Sequence, residues 1–282
     1  MKTLLLPLLV DESVEAALAT AHMVAKRYGS YIEGLFIRSA PPMVPRAPVP
    51  AHFLNQYRDY WDESADVARK RFTTFMNDQN VTFREITSDA TGPNAWWREI
   101  EGEADDVVGE YGRLFDMIVM ARASSKTSGE WSSLYDAALF DSGRPLLIAP
   151  ETPPETLGEN IVISWNASTE TARTIAFGMP FLKDAKKVCV LSVEGAVGGM
   201  VPGPSGDQVA AHLVRGGVAA VAETVQANGR SSGKTVLEEA ERLGADLLVK
   251  GAFTHNRLRQ MIFGGTTRHV LTEAKMPVLI AH

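Results

Sequence analysis

Residues Ala245 to His282 read ADLLVKGAFTHNRLRQMIFGGTTRHVLTEAKMPVLIAH, and this stretch decides the fold. It opens on the apolar run Leu247–Leu248–Val249, between Asp246 and Gly251. A short run without polar alternation predicts a strand buried on both faces, as in a parallel sheet. A loop follows, then Gly264–Gly265–Thr266–Thr267, a helical pattern, and a second buried run, Val278–Leu279–Ile280. Strand, glycine loop and helix start together present backbone N–H groups to an anion such as phosphate.

Outward from this stretch, the chain shows the same series twice. In the first half, Leu4–Leu9 predicts a strand, Val14 to Arg27 a helix and Tyr31–Ile37 a second strand. Five prolines between Ala40 and Pro50 exclude a helix or inner strand there. A long helix is expected from His52 to about Asn77, with Phe53, Tyr57, Trp61, Ala65, Ala68 and Phe72 on one face. A third strand is expected at Val81–Ile86, a helix over Ala95–Gly112, a strand at Met117–Met120, a helix near Leu134–Phe140 and a strand at Leu146–Ala149. Residues 151–158, within PETPPETLG, read as a stiff linker.

The second half repeats the order, and some residues match one for one. Phe115–Asp116–Met–Ile–Val–Met parallels Ala245–Asp246–Leu–Leu–Val–Lys, and Gly143–Arg144–Pro145–Leu–Leu–Ile–Ala parallels Lys275–Met276–Pro277–Val–Leu–Ile–Ala. A repeat of about 130 residues predicts two α/β domains, 1–150 and 159–282, each a doubly wound parallel sheet covered by helices. The length of 282 residues suits two such units of about 140 each.

Composition narrows the function. A net charge of −6 with no Lys/Arg block gives no footprint for nucleic acid or an anionic membrane surface. No run approaches the ~18 apolar residues of a membrane helix. The single cysteine, Cys189, lies within the apolar run Val188–Leu191 and reads as a buried packing residue. One cysteine allows no internal disulfide, and Met1 leads directly into an apolar strand; together these make a cytoplasmic location the expectation. The six histidines form no HxH or HxxxH pair, so no metal site is expected.

With these residues in place, the chain resembles the universal stress protein family in its tandem two-domain form. The resemblance rests on GADLLVKGA, MPVLIAH, the glycine loop between them and the short first strand with an acidic or amide residue at its end. It implies two five-stranded Rossmann-like sheets packed as an internal pseudo-dimer through their last strands. The family motif G-x2-G-x9-G-[ST] falls on Gly251, Thr254, Gly264 and Gly265, so the first and third positions match and the second and fourth depart. Thr266 follows the fourth at once.

The resemblance further implies ATP, with Mg2+ only as carried by the nucleotide, in the second half. Asn166 at the end of the first strand and Val193 at the end of the second would face the adenosine. Gly251, Thr254, His255, Gly264, Gly265, Thr266 and Thr267 would surround the phosphates. Asn166 also suits an Asx turn or helix cap, as does Asp11 in the first half. Ser132–Ser133 stand where Gly264–Gly265 do, so the first half carries none of the motif glycines.

No residue is assigned as catalytic, and at most slow ATP hydrolysis is expected. Gly229–Arg–Ser–Ser–Gly233–Lys234–Thr235 is one residue short of a P-loop, and no strand runs directly into it as a nucleophile elbow requires. It reads as a turn and helix cap. The partners expected are an adenine nucleotide and a possible protein partner, with the chain a monomer holding its internal pseudo-dimer, or a homodimer. The alternative is a family member without nucleotide, acting through protein or small-ligand contacts of its Pro-rich and Gly-rich loops.

Overall fold

A computed structural model describes residues 1–8, 14–40, 50–85, 92–122, 130–196, 200–252 and 265–282. The N-terminal half runs β1 (Thr3–Leu8), α1 (Glu15–Tyr28), β2 (Tyr31–Arg38), α2 (Ala51–Asp78), β3 (Thr82–Phe83), β4 (Asn94–Glu101), α3 (Ala104–Tyr111), β5 (Met117–Met120), α4 (Glu130–Asp136) and β6 (Leu146–Ile148). The C-terminal half runs β7 (Asn160–Trp165), α5 (Thr169–Asp184), β8 (Lys187–Glu194), α6 (Gly206–Arg215), β9 (Ala220–Gln226), α7 (Ser232–Arg242), β10 (Leu247–Gly251), α8 (Gly265–Glu273) and β11 (Val278–Ala281).

Each half is a parallel sheet in doubly wound order, β3-β4-β2-β1-β5-β6 and β11-β10-β7-β8-β9. The inner strands are apolar on both faces because helices cover both: Leu4, Leu5, Leu6, Ile163, Leu247, Leu248 and Val249 are all fully buried. The two halves join where β6 and β11 pair antiparallel, Leu147 opposite Leu279. Antiparallel pairing of equivalent strands is what a two-fold relation between the halves requires, and it merges them into one sheet of eleven strands. The repeat extends to a polar detail. Asp116, before β5, accepts the Thr3 N–H at 3.2 Å, and Asp246, before β10, accepts the Glu159 and Asn160 N–H groups at 3.0 and 2.9 Å.

The expected helix over Ala95–Gly112 is corrected. Residues Asn94–Glu101 are β4, paired with β2 along its whole length from Tyr31↔Asn94 to Arg38↔Glu101, and only Ala104–Tyr111 is helical. Alternation decides it. Ala95, Trp97 and Glu99 face α2, where the Trp97 ring lies 5.7 Å from Phe72 and 6.2 Å from Phe36. On the other face Arg98 donates to the buried Glu33 at 2.7 Å, and Tyr31 and Tyr111 donate to the same carboxylate at 2.5 and 2.6 Å. Burial, then the bond to Glu33, pushes both phenols up. These ion pairs place charged residues in a strand, against the helical bias of the Glu-rich sequence. The strand expected at Val81–Ile86 is only the two-residue β3, a sixth edge strand for this half, where five were expected.

Glu99 anchors the outer edge. Its side chain, 18% exposed, accepts from Trp97 Nε1 at 2.8 Å and pairs with Arg38 at 2.7 Å and with Arg69. Burial alone would raise its carboxyl, but these donors outweigh burial and hold it at about 2, below its ordinary 4.5. A depressed carboxylate stabilises the fold fully above pH 4.5, and the contribution is lost as pH falls from 4.5 toward 2. Urea unfolding should therefore show Glu99→Gln less stable at pH 7 by on the order of 2 kcal/mol. That gap should narrow steadily below pH 4.5. A constant gap from pH 7 to 3 would contradict this account.

Candidate functional site

The strand order places a topological switch point between β7 and β10 in the C-terminal half. From these neighbours the chain leaves to opposite faces, β7 into α5 and β10 toward α8, and such a switch point is where doubly wound sheets bind ligands.

The α5 side is a hydrogen-bonded turn. Ser168 caps the helix, its Oγ accepting the Thr171 N–H at 3.2 Å. Asn166 Oδ1 accepts the Ser168 N–H at 3.3 Å and the Thr171 hydroxyl at 2.7 Å, an Asx turn leading into the cap. Between them Ala167 takes a left-handed conformation, φ 66°. Residues Val201–Pro204 fold over this end of β7. Val201 N–H donates to Asn166 O at 3.0 Å, Trp165 Nε1 donates to Pro204 O at 2.8 Å, and Gly203 lies against Ala167.

Gly251 ends β10 and packs against the start of α5. A methyl group there would lie 2.4 Å from the Thr171 backbone nitrogen and 2.6 Å from its Oγ1. The close approach this glycine permits within the chain is to the start of α5. Val193, on β8, is 4% exposed and packs its side chain in the smaller core beneath α7 and α8, alongside Cys189, Leu248 and Val270.

On the α8 side, Gly265 opens the helix, Thr266 is partly exposed and Thr267 is buried. Gly233 lets α7 pack closely here, since a methyl on it would stand 3.0 Å from Thr266 O. Thr254, His255 and Gly264 lie outside the described residues, as does Asp11. The turn-and-cap reading of residues 229–235 is borne out: Ser231 caps α7, its Oγ accepting the Lys234 N–H at 3.3 Å.

The residue that sequence reading missed is Lys250. It faces the same side as Leu248, is 7% exposed, and donates from Nζ to Gly251 O at 2.7 Å and Thr267 Oγ1 at 3.1 Å. Burial lowers its ammonium to about 8 from an ordinary 10.5, so it keeps its charge at neutral pH. No carboxylate among the described residues pairs with it. The signal was present, a lysine in an apolar strand where the repeat has Met120, but the composition of the run concealed it. Lys250 and Thr171 thus tie the site together: Asn166 and Gly251 meet at Thr171, and Gly251 and Thr267 meet at Lys250. Among the described residues there is no cluster of metal-ligating side chains, and no helix is long and apolar enough to cross a membrane.

Two stability measurements check this geometry. Gly251→Ala forces α5 away from β10 and should cost about 1–3 kcal/mol or more in urea unfolding; a loss under about 0.5 kcal/mol would show the contact to be loose. Lys250→Met removes a buried charge and should raise stability. The unfolded chain holds the extra proton between pH 8 and 10.5, so wild-type stability rises across that window. The advantage of Lys250→Met should therefore be on the order of 3 kcal/mol below pH 8 and shrink toward pH 10.5. A variant less stable than wild type at pH 7 would contradict this.

Comparison with known proteins agrees with this architecture. Residues 203–282 match the sequence model of the Universal stress protein family. A segment of 47 residues is 36% identical to "Stress response protein NhaX" of Bacillus subtilis, covering 17% of this chain and 28% of that protein. A universal stress protein from Archaeoglobus fulgidus superposes with a TM-score of 0.72 at 15% identity, over 99% of this chain and 95% of its own. A putative universal stress protein from Pseudomonas aeruginosa does so with a TM-score of 0.53 at 15% identity, over 99% and 92%. At that identity the superpositions speak for the fold. The sequence match to the family model is confined to residues 203–282, and the superposition over 99% of the chain shows that both halves share the fold of a universal stress protein.

Proposed function

We propose that the C-terminal half binds an adenine nucleotide, ATP foremost, and that the protein works as a sensor or regulator in stress response rather than as an efficient enzyme. The observation that carries this reading is the switch point between β7 and β10, with the threonine-bearing first turn of α8 on one side and the Asn166–Thr171 turn on the other. Helix-start N–H groups and threonine hydroxyls suit phosphate oxygens. Any Mg2+ would arrive with the nucleotide.

A second reading keeps the fold and gives up the nucleotide. It is favoured by the Val201–Pro204 segment, which already hydrogen-bonds to the end of β7 on the side the family resemblance gives to adenosine. On that reading the chain acts through a protein or small-ligand partner.

Isothermal titration with ATP separates the two. Micromolar binding, weakened at least tenfold by Gly264→Val, supports the nucleotide reading; the absence of any heat at millimolar ATP leaves the second. Turnover should stay well below about 1 per second, an ordinary enzyme rate.

A further inference from the structure

A lysine ammonium seldom stays buried without a counter-charge, because its desolvation is repaid only by close opposite charge or several hydrogen bonds. Lys250 has neither in full. Two of its three N–H groups are used, both on neutral acceptors, Gly251 O and Thr267 Oγ1. Its surroundings make the deficit worse. Thr267 stands in the first turn of α8, where the helix end itself carries positive partial charge. The ammonium and the start of α8 thus converge at the carboxyl end of β10, at the switch point, and no acidic group among the described residues pairs with the ammonium. A core that needed only filling would hold an apolar side chain here, as the other half does with the fully buried Met120.

We infer that Lys250 is a phosphate-binding residue, its ammonium neutralising the polyphosphate of a ligand seated at the start of α8. This rests on the nucleotide reading and specifies within it what holds the charge. The first turn of α8 is then not the sole source of phosphate affinity. Thr267, which accepts from Nζ, is a positioning residue that holds the ammonium at the helix start.

The test compares wild type, Lys250→Met and Thr267→Val by calorimetric titration at fixed ionic strength with ATP, adenosine and inorganic tripolyphosphate. Wild type should bind ATP more tightly than adenosine. Lys250→Met should lose about ten- to a hundredfold for ATP and tripolyphosphate, the scale of a hydrogen bond to a charged group, with adenosine unchanged. Thr267→Val should lose a few fold, again for the phosphate-bearing ligands only. Lys250→Met is expected to fold at least as stably as wild type, so its losses report the site. If Lys250→Met binds ATP as wild type does, the inference fails and the nucleotide reading stands. If wild type takes tripolyphosphate but neither adenosine nor ATP preferentially, and Lys250→Met loses it, the inference stands and the nucleotide reading fails. No binding of any of the three ligands overturns both.

Discussion

The contact between Gly251 and Thr171 sets the geometry of the C-terminal half. A strand end and a helix start from opposite sides of a switch point meet there at a separation that admits no Cβ. The contact aligns the Asx turn of Asn166 with the end of β10, because Thr171 bonds to Asn166 while its backbone touches Gly251. It also fixes the carbonyl of Gly251, one of the two acceptors that hold Lys250. Backbone packing, capping and the buried charge are therefore one arrangement, and a shift of α5 would disturb all three.

The halves share a fold and differ in what they place at this point. Where the C-terminal half has Lys250 and Gly251, the N-terminal half has Met120 and Ala121, both buried, with the Tyr135 hydroxyl closing onto Ala121 O at 2.5 Å. An apolar side chain and a methyl group there make packing, not a charged crevice. The N-terminal half concentrates its buried charge instead at the β2–β4 edge, where Glu33 and Glu99 are each satisfied by an arginine and an aromatic hydroxyl or indole donor. Those carboxylates are neutralised by the chain itself. Lys250 has no carboxylate partner among the described residues, only the neutral acceptors Gly251 O and Thr267 Oγ1.

How much of this could be read from the residues follows from what each signal measures. Apolar runs such as Leu247–Val249 and Val278–Ile280 identified the inner strands because helices on both faces leave no room for polar alternation. The same rule does not reach Asn94–Glu101, whose arginine and glutamates look like a solvated helix until β2, some sixty residues away, brings Arg38 and Glu33 beside them and α2 brings Arg69. Gly251 was recognised as a place of close approach, but a sequence cannot say what approaches; the structure answers with α5. Asn166 suits a turn by its residue type, and the structure shows the Asx turn that leads into the Ser168 cap.

Lys250 shows why a pattern of glycines is an incomplete description of an anion site. Backbone N–H groups bind phosphate through partial charges that depend on loop geometry, so a β-branched residue at a position needing positive φ weakens them. A buried ammonium supplies a full charge that needs no special backbone, and low polarity around it strengthens its attraction for an incoming anion. The cost is stability in the free protein, visible as the lowered proton affinity of Lys250. Binding an anion would remove that cost, so ligand affinity and fold stability are coupled through one side chain. For a protein read as a sensor, such coupling lets occupancy alter the firmness of the α8–β10 region without any catalytic step.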